Sequence, residues 1–239
     1  MSKLYIVATP IGNIDDITYR AVEILKKVNV ILCEDTRVTM KLLKLLNIDV
    51  KDKKLLPYFE HNEKSKIKDV LTLLTLGYEI ALVTDAGMPV VSDPGFPLIN
   101  HIQNLSSKEK ENIQIEVIPG ASSTLTALVY SGMASDKFTF LGYIPRKSND
   151  RKKFFKQARD AYNHVRSTYI CFENLNRLED SLSSMHQTLG DKVEICLCRE
   201  LTKIHEEIIK TDLPDLINKI KNKEITLKGE AVIVFTFKY

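Results

Sequence analysis

The sequence contains no apolar run of about 18 residues, which is the length that a membrane-spanning helix needs. Its first segment, MSKLYIVATP, is typical of a strand and lacks the long apolar stretch of a signal peptide. We therefore expect a cytoplasmic protein without a membrane partner. The net charge of +3 is also small, so overall charge alone does not indicate a nucleic-acid-binding protein.

Motifs for metals and for nucleotide phosphates are also missing. The cysteines lie within apolar runs and form no CxxC pair, which favours buried thiols over a metal site: Cys33, Cys171, Cys196 and Cys198. No GxxxxGK(S/T) motif is present. Glu34 follows Gly12 at about the spacing of a dinucleotide-binding fingerprint, but Gly12 is the only glycine of that turn, so the fingerprint fails.

Short apolar runs alternate with amphipathic helical patterns in the first half of the chain. The pattern predicts strands at 4–8, 30–33, 80–83 and 115–118, and helices at 17–28, 38–46 and 67–76. Asp15 and Asp16 are candidate caps of the first helix, and Gly77 is placed to end the third. Strands that alternate with helices indicate an α/β fold with a mainly parallel sheet.

A change in composition near residue 142 predicts a boundary between two domains. The first domain is expected over 1–141, a basic linker over 142–153 and a second α/β domain over 154–239. In the second domain the pattern predicts strands at 168–172, 193–198 and 231–237, a helix at 177–189 and a helix start near Asp212. The basic segment 146–156 also contains Phe154 and Phe155, so it is either a nucleic-acid-binding surface or a solvated helix face whose aromatic rings lie in the core.

The segment 84–95, TDAGMPVVSDPG, follows an apolar strand directly and is rich in glycine and proline. Such a loop is either an ordinary connection or part of a ligand site at the carboxyl edge of the sheet. The loops 9–13, 84–93 and 119–123 are expected at that same edge. They carry backbone groups and carboxylates rather than cations, which suits a neutral or cationic ligand. Ser122 and Ser123 could equally cap a helix after Pro119-Gly120.

Seven segments together resemble the tetrapyrrole methylase superfamily, and within it the branch that methylates ribosomal RNA: 4–13, 33–37, 61–63, 84–95, 118–122, 198–207 and 228–234. The resemblance implies two α/β domains of the class III methyltransferase type with a ligand cleft between them. It also implies a homodimer whose cofactor is S-adenosylmethionine and whose substrate is small-subunit ribosomal RNA, free or in the 30S subunit. The implied reaction methylates the ribose 2′-hydroxyl of a cytidine.

The resemblance also implies residues for the donor site, carried across position by position. They are Pro10, Ile11, Gly12, Asp85, Ala86, Gly87, Met88, Pro89, Ser122, Ser123, Phe172, Leu201, Lys228 and Gly229. The chain departs from the usual family pattern at Thr84 and Met88, so a side-chain hydroxyl contact from position 88 is not expected.

A ribose hydroxyl is weakly acidic, so a group that accepts its proton should assist methyl transfer. The candidate catalytic residues are Glu34, Asp35, Asp93, Glu200 and Lys203, and no metal is required. The candidate RNA-binding residues are Arg37, Arg146, Lys147, Arg151, Lys152, Lys153 and Arg199.

Two other functions remain open at this point. A tetrapyrrole methyltransferase of the precorrin type would share the fold, although such relatives usually carry Gly-Pro-Gly in the first turn, where this chain has Thr9-Pro10-Ile11-Gly12. A non-catalytic ribosome-assembly factor would share the basic segment.

Overall fold

The computed structural model describes residues 2–106 and 112–238. The chain divides into two compact units, Met1–Ser122 and Ser123–Tyr239. This division corrects the boundary predicted at residue 141. The strand Phe138–Tyr143 pairs in parallel with the strand Thr168–Asn174, so it belongs to the sheet of the second unit.

The first unit is built on a parallel sheet, as the alternating pattern predicts. In the described part of the chain its strands are β1 (Ser2–Val7), β2 (Val30–Cys33), β3 (Lys54–Pro57), β4 (Ile80–Val83) and β5 (Ile113–Ile118). They lie in the order β3-β2-β4-β1-β5, and every pairing is parallel. The sequence did not indicate β3, because this edge strand is half-exposed and its residues do not form an apolar run.

Helices cover both faces of this sheet: α1 (Tyr19–Lys27), α2 (Thr36–Leu45), α3 (Glu63–Thr75) and α4 (Phe96–Gln103). Leu4 and Ile6 pack in one core cluster with buried residues of α3 and α4, and Tyr5 and Val7 pack in the other with those of α1 and α2. Alternate residues of β1 therefore supply opposite cores. Three of these helices match the predicted positions, whereas α4 was not predicted.

The cap expected for α1 is wrong. Asp15 and Asp16 lie in a separate 3-10 turn, and Thr18 caps the helix by accepting a hydrogen bond from the Ala21 N–H at 3.1 Å. A threonine hydroxyl at this position satisfies one of the helix's unpaired N–H groups. The end of α3 agrees with the prediction, since Gly77 follows it with a φ of 90°.

The second unit contains a mixed sheet in the order β6-β7-β10-β8-β9. Its strands are β6 (Phe138–Tyr143), β7 (Thr168–Asn174), β8 (Val193–Arg199), β9 (Glu207–Asp212) and β10 (Glu230–Phe237). β6 and β7 are parallel, whereas the other neighbours are antiparallel. The helices are α5 (Ser123–Ser131), α6 (Ser148–His164), α7 (Leu178–Leu189) and α8 (Leu213–Lys221).

The segment predicted as a basic linker is not a linker. It contains the end of β6 and the first turns of α6, which begins at Ser148. Phe155 is fully buried, and Phe154 packs edge-on against it at a centroid distance of 5.3 Å. These rings are therefore core residues and do not form a surface for stacking bases.

All four cysteines are buried and lie on strands, as the sequence predicts. Burial raises the pKa of the Cys33 thiol to about 11, so this thiol stays protonated at neutral pH. Among residues 2–106 and 112–238, no cluster of three or more His, Cys, Asp or Glu side chains is arranged to hold a metal ion. None of the helices in these ranges has the length and apolar character needed to cross a bilayer.

Candidate functional site

Three loops meet at the carboxyl edge of the parallel sheet, which confirms the expectation from the sequence. Thr9 and Gly87 form a bridge in which each N–H donates to the other residue's carbonyl, at 2.9 and 3.1 Å. The Thr9 hydroxyl also donates to the Thr84 carbonyl at 3.1 Å. On the other side of β1, the Ala8 N–H donates to the Ile118 carbonyl at 3.2 Å. The first turn is thus fixed between the loops that follow β4 and β5.

The loop after β4 holds backbone conformations that are unusual for residues with side chains. Val90 has a φ of 78° and Ser92 a φ of 66°. A β-branched residue with positive φ is a strained outlier, and such strain clusters at functional sites. Gly87 has a φ of 85°, and a Cβ added there would lie 3.3 Å from Cγ2 of Ile11. The loop therefore brings its peptide groups against the first turn without intervening side chains.

Glu63 anchors the far end of this loop and was not a candidate site residue from the sequence. Glu63 is 9% exposed, and its carboxylate accepts a hydrogen bond from the Gly95 N–H at 2.9 Å. A side chain at position 95 is excluded, because a Cβ there would lie 2.7 Å from Cδ2 of Leu82 and 2.9 Å from Cγ2 of Val90. The signal in the sequence for this anchor is the HNE segment at 61–63, where an acidic residue stands at the start of the helix.

Carboxylates from two neighbouring strand ends lie together at this edge. The Asp35 N–H donates to Oδ1 of Asp85 at 3.2 Å, and the Thr84 hydroxyl donates to Oε2 of Glu34 at 3.3 Å. Burial raises the pKa of Glu34 and of Asp85. Asp35 differs, because hydrogen bonds from the side chain and the backbone N–H of Arg37 lower its pKa to about 2. The edge therefore combines one strongly ionised carboxylate with two that hold a proton more readily.

We expect Asp85→Asn to stabilise the protein at neutral pH by less than about 1 kcal/mol, since water screens this exposed side chain. A raised carboxyl pKa adds stability below the ordinary value of 3.8, and this contribution is lost as the pH rises through the raised value. An asparagine carries no charge, and its amide oxygen can still accept the Asp35 N–H. The gain in the free energy of unfolding should therefore grow from about pH 4 to about pH 7.

Urea unfolding at both pH values measures this gain, with Asp16→Asn as the control on an exposed aspartate of the same unit. A gain that shrinks as the pH rises would contradict the assigned direction of the Asp85 pKa.

In the second unit the candidates after β8 form a network of charges. Lys203 lies 3.1 Å from Oε1 of Glu200 and 2.9 Å from Oε2 of Glu230. Burial disfavours the charged forms of both Glu200 and Lys203, but their partners outweigh it. The Glu230 N–H and the Lys203 ammonium lower the pKa of Glu200. The carboxylates of Glu230 and Glu200 raise the pKa of Lys203. Lys203 thus keeps its proton, and Glu200 holds the Glu230 N–H at 2.9 Å. This arrangement favours a bracing role for both residues over proton transfer.

The donor candidates of the second unit gather at one end of its sheet. Phe172 lies near the end of β7 opposite Val232, while Leu201 is buried just after β8. Lys228 and Gly229 precede β10, and the Lys228 carbonyl accepts a hydrogen bond from Arg199 at 3.2 Å. These residues are neighbours because the end of β7, the end of β8 and the start of β10 are adjacent in the sheet.

The remaining donor candidates of the first unit differ in exposure. Ile11, Gly87 and Pro89 are buried, and the other residues of this set are partly or fully exposed: Pro10, Gly12, Asp85, Ala86, Met88 and Ser122. Ser123 begins α5, so the helix start considered for the Pro-Gly turn is present. Asp93 is half-buried in the strained loop.

Two of the RNA-binding candidates, Arg151 and Arg199, are largely buried and have their guanidinium groups engaged by other residues of the protein. Arg151 is 7% exposed, and its guanidinium donates to the Ser184 hydroxyl at 3.1 Å and to the Arg146 carbonyl at 2.6 Å. Its assignment to an RNA surface is therefore wrong, because its donors point into the unit. The Arg199 side chain is 11% exposed and pairs with Glu207 at 2.8 Å. The other candidates are exposed: Arg37, Arg146, Lys147, Lys152 and Lys153.

Comparisons with known proteins identify the family of the chain. The family model described as Tetrapyrrole (Corrin/Porphyrin) Methylases matches residues 3–217. A relative from Hydrogenobaculum sp. named ribosomal RNA small subunit methyltransferase I is 42% identical over 98% of this chain and 95% of its own length. One of the same name from Thermotoga maritima is 38% identical over 100% of both chains.

Among solved structures, the methyltransferase CobJ superposes with a TM-score of 0.70 at 15% identity, covering 99% of this chain and 95% of its own. Diphthine synthase superposes with a TM-score of 0.68 at 13% identity, covering 99% of this chain and 90% of its own. At such identities these structures support the fold alone. Because the family match and the relatives span nearly all of the sequence, the chain belongs to the tetrapyrrole (corrin/porphyrin) methylase family.

Proposed function

We propose that this protein transfers a methyl group from S-adenosylmethionine to the ribose 2′-hydroxyl of a cytidine in small-subunit (16S) ribosomal RNA. The observation that carries the proposal is the near full-length similarity to relatives named ribosomal RNA small subunit methyltransferase I, which are 38% and 42% identical. The cytidine and its ribose hydroxyl are the target that the motif resemblance implies.

The loop edge of the first unit suits the methyl donor. When bound, S-adenosylmethionine supplies an electrophilic methyl group on a positively charged sulfonium. The carboxylates Glu34, Asp35 and Asp85 match that charge, and the bridged peptide groups of Thr9 and Gly87 present a rigid surface. We assign Pro10, Ile11, Gly12, Asp85, Ala86, Gly87, Met88, Pro89 and Ser122 of the first unit to donor binding, with Ser123, Phe172, Leu201, Lys228 and Gly229 from the second unit.

Alignment is the main contribution of the protein to the chemistry. Transfer to an alcohol is an in-line displacement, and holding the reacting atoms in line can supply most of the rate gain. The hydroxyl must also lose its proton. Of the two candidate bases that follow β2, Glu34 is the better acceptor, because burial raises its pKa, whereas Arg37 makes Asp35 a weak base. Asp93 remains a candidate from the same loop.

Exposed cations at the start of α6 support RNA binding. Lys152 and Lys153 are exposed on this helix. We expect Lys152→Gln/Lys153→Gln to weaken the binding of small-subunit ribosomal RNA and to reduce the dependence of log K on log salt by roughly 0.7 for each lost contact with single-stranded RNA. Donor binding should not change.

Filter binding over a range of salt concentrations measures this slope. The matched control is Lys64→Gln/Lys68→Gln, which removes the same charge from exposed positions on α3. Equal slopes for the two double variants would remove the α6 cations from the RNA-binding surface.

The protein is further proposed to act as a homodimer in the cytoplasm, where small ribosomal subunits are assembled. An exposed apolar face of α5 supports the proposed dimer, because Leu125 and Val129 on this helix are 50% and 81% exposed. Clusters of exposed apolar side chains often mark protein interfaces. Sedimentation equilibrium of the purified chain tests the dimer, and a single monomer mass at all concentrations would exclude it.

The test of the function is methyl transfer from labelled S-adenosylmethionine. We expect label in the RNA of small subunits or in free small-subunit ribosomal RNA, and none in large-subunit RNA. Label in a tetrapyrrole and not in RNA would favour the precorrin-type alternative. Tight RNA binding with no transfer to any substrate would favour an assembly factor.

A further inference from the structure

A cleft opens in the second unit at the carboxyl ends of β6 and β7. It has a volume of about 610 Å³, and its lining includes the last residue of each strand and residues that follow the strands: Tyr143, Pro145, Arg146, Asn174, Asn176 and Arg177. β6 and β7 are the parallel pair of this otherwise antiparallel sheet. In α/β folds, ligands bind outside the carboxyl ends of parallel strands, and the volume lies in the range of ligand pockets.

On the β7 side of the cleft, the guanidinium of Arg177 is held in place by the buried carboxylate of Glu173. The Glu173 side chain is fully buried and accepts hydrogen bonds from the Asn174 N–H at 2.7 Å, from the Ser181 hydroxyl and from Nη2 of Arg177. Nη1 of Arg177 is buried and has no hydrogen-bond partner among the described residues. The Arg177 side chain is nevertheless 25% exposed and lines the cleft, so Arg177 is a cation held in a fixed position on this side.

On the β6 side of the cleft, a second cation, Arg146, projects from a backbone that a hydrogen bond from Arg151 fixes. Arg146 is exposed, and its carbonyl accepts the 2.6 Å hydrogen bond from the buried Arg151. Arg151 is in turn held by Ser184 on α7 at 3.1 Å. The buried arginine thus fixes the backbone from which Arg146 projects. The charged residues in the lining are Arg146 and Arg177, and because Arg177 is already paired with Glu173, the attraction for an anionic ligand depends mainly on Arg146.

Tyr143 adds an aromatic surface to these cations. Tyr143 is 60% exposed, and its ring packs edge-on against Phe172 at a centroid distance of 5.3 Å. Phe172 packs edge-on against Phe140 at 4.9 Å, so the tyrosine ring is supported by a cluster of aromatic side chains in edge-on contact. An exposed aromatic ring beside cations and amides is the combination that binds a base together with its phosphate.

We propose that this cleft binds one nucleotide of single-stranded RNA, with its base stacked on Tyr143 and its phosphate held by Arg146 and Arg177. The amides of Asn174 and Asn176 provide the hydrogen-bonding groups for the base or the ribose. This inference rests on the proposed ribosomal RNA substrate and adds an RNA contact formed by residues of the second unit alone. Four of the cleft residues were not candidate site residues from the sequence: Tyr143, Asn174, Asn176 and Arg177.

The experiment uses the full chain with two labelled probes: a short single-stranded oligoribonucleotide of mixed sequence, and an abasic oligonucleotide with the same number of phosphates. The wild type should bind the RNA about tenfold more tightly than the abasic probe, the difference that one stacked base produces. Tyr143→Leu should remove most of that preference. Arg146→Ala should weaken the binding of both probes and reduce the salt slope by roughly 0.7.

The matched control is Tyr19→Leu/Arg20→Ala, which removes the same groups from exposed positions on α1. Thermal unfolding of each variant checks that it is folded. If Tyr143→Leu keeps the full preference for RNA over the abasic probe, or if Arg146→Ala matches the control, the cleft does not bind RNA. That outcome would leave the proposed function intact when the wild type still methylates ribosomal RNA. Absence of methyl transfer by the wild type would instead overturn the function, while the probes test the cleft directly.

Discussion

Gly87→Leu will bind S-adenosylmethionine roughly 100-fold more weakly than the wild type, a loss of ~2.8 kcal/mol. The reason is steric and conformational. The N–H and the carbonyl of Gly87 are both hydrogen-bonded to the Thr9 backbone, and a Cβ at position 87 would lie 3.3 Å from the Ile11 side chain. A leucine must either displace the first turn or project into the space at the loop edge. A leucine held at the positive φ of position 87 also adds ~1–3 kcal/mol of strain to the folded state.

Isothermal titration calorimetry measures the affinity, and Gly77→Leu separates the two causes. Gly77 has a φ of 90° after α3, and a Cβ added there meets nothing within 4 Å. This control therefore carries the same type of backbone strain away from the site, and it should bind the donor like the wild type. Full donor affinity in folded Gly87→Leu would place the donor elsewhere.

Glu173→Ala will lower the free energy of unfolding by about 3 kcal/mol, the lower end of the range for breaking a buried ion pair. The substitution leaves Arg177 without its carboxylate, and the Ser181 hydroxyl and Asn174 N–H lose their acceptor. The lower end applies because the Arg177 side chain is 25% exposed and water can partly solvate it.

Urea unfolding measures this loss, and Glu179→Ala is the matched control. Glu179 is exposed in the first turn of α7, so its removal should change the stability by no more than ~0.5 kcal/mol. Equal stabilities for the two variants would mean that the buried carboxylate contributes nothing to the second unit. The cleft inferred beside Arg177 would then lack its fixed cation.

The strands and helices that bury a clear apolar pattern could be predicted from the sequence. β2 and β4 are buried on both faces, so their runs are continuous and their bounds agree with the prediction. β3, β9 and α4 were missed. The strands β3 and β9 are largely half-exposed, and α4 follows a loop rich in proline and glycine, so neither periodicity nor composition distinguishes them from connections.

The site was predictable where it depends on strand ends and unpredictable where it depends on contacts between distant residues. Parallel strands end at one edge, so the meeting of the loops after β1, β4 and β5 followed from the order of elements. The burial of Arg151 did not follow, because its partners Ser184 and Arg146 are brought together only by the packing of α6 on α7. The anchoring of Gly95 by Glu63 depends on a similar long-range contact.

The measurement that tests the central claim most directly is mass mapping of small-subunit ribosomal RNA from cells that contain or lack this protein. We predict that one cytidine carries an additional methyl group on its ribose only when the protein is present, and that the purified protein with S-adenosylmethionine restores it. Identical maps from the two sources, or a methyl group on a base instead of a ribose, would contradict the account.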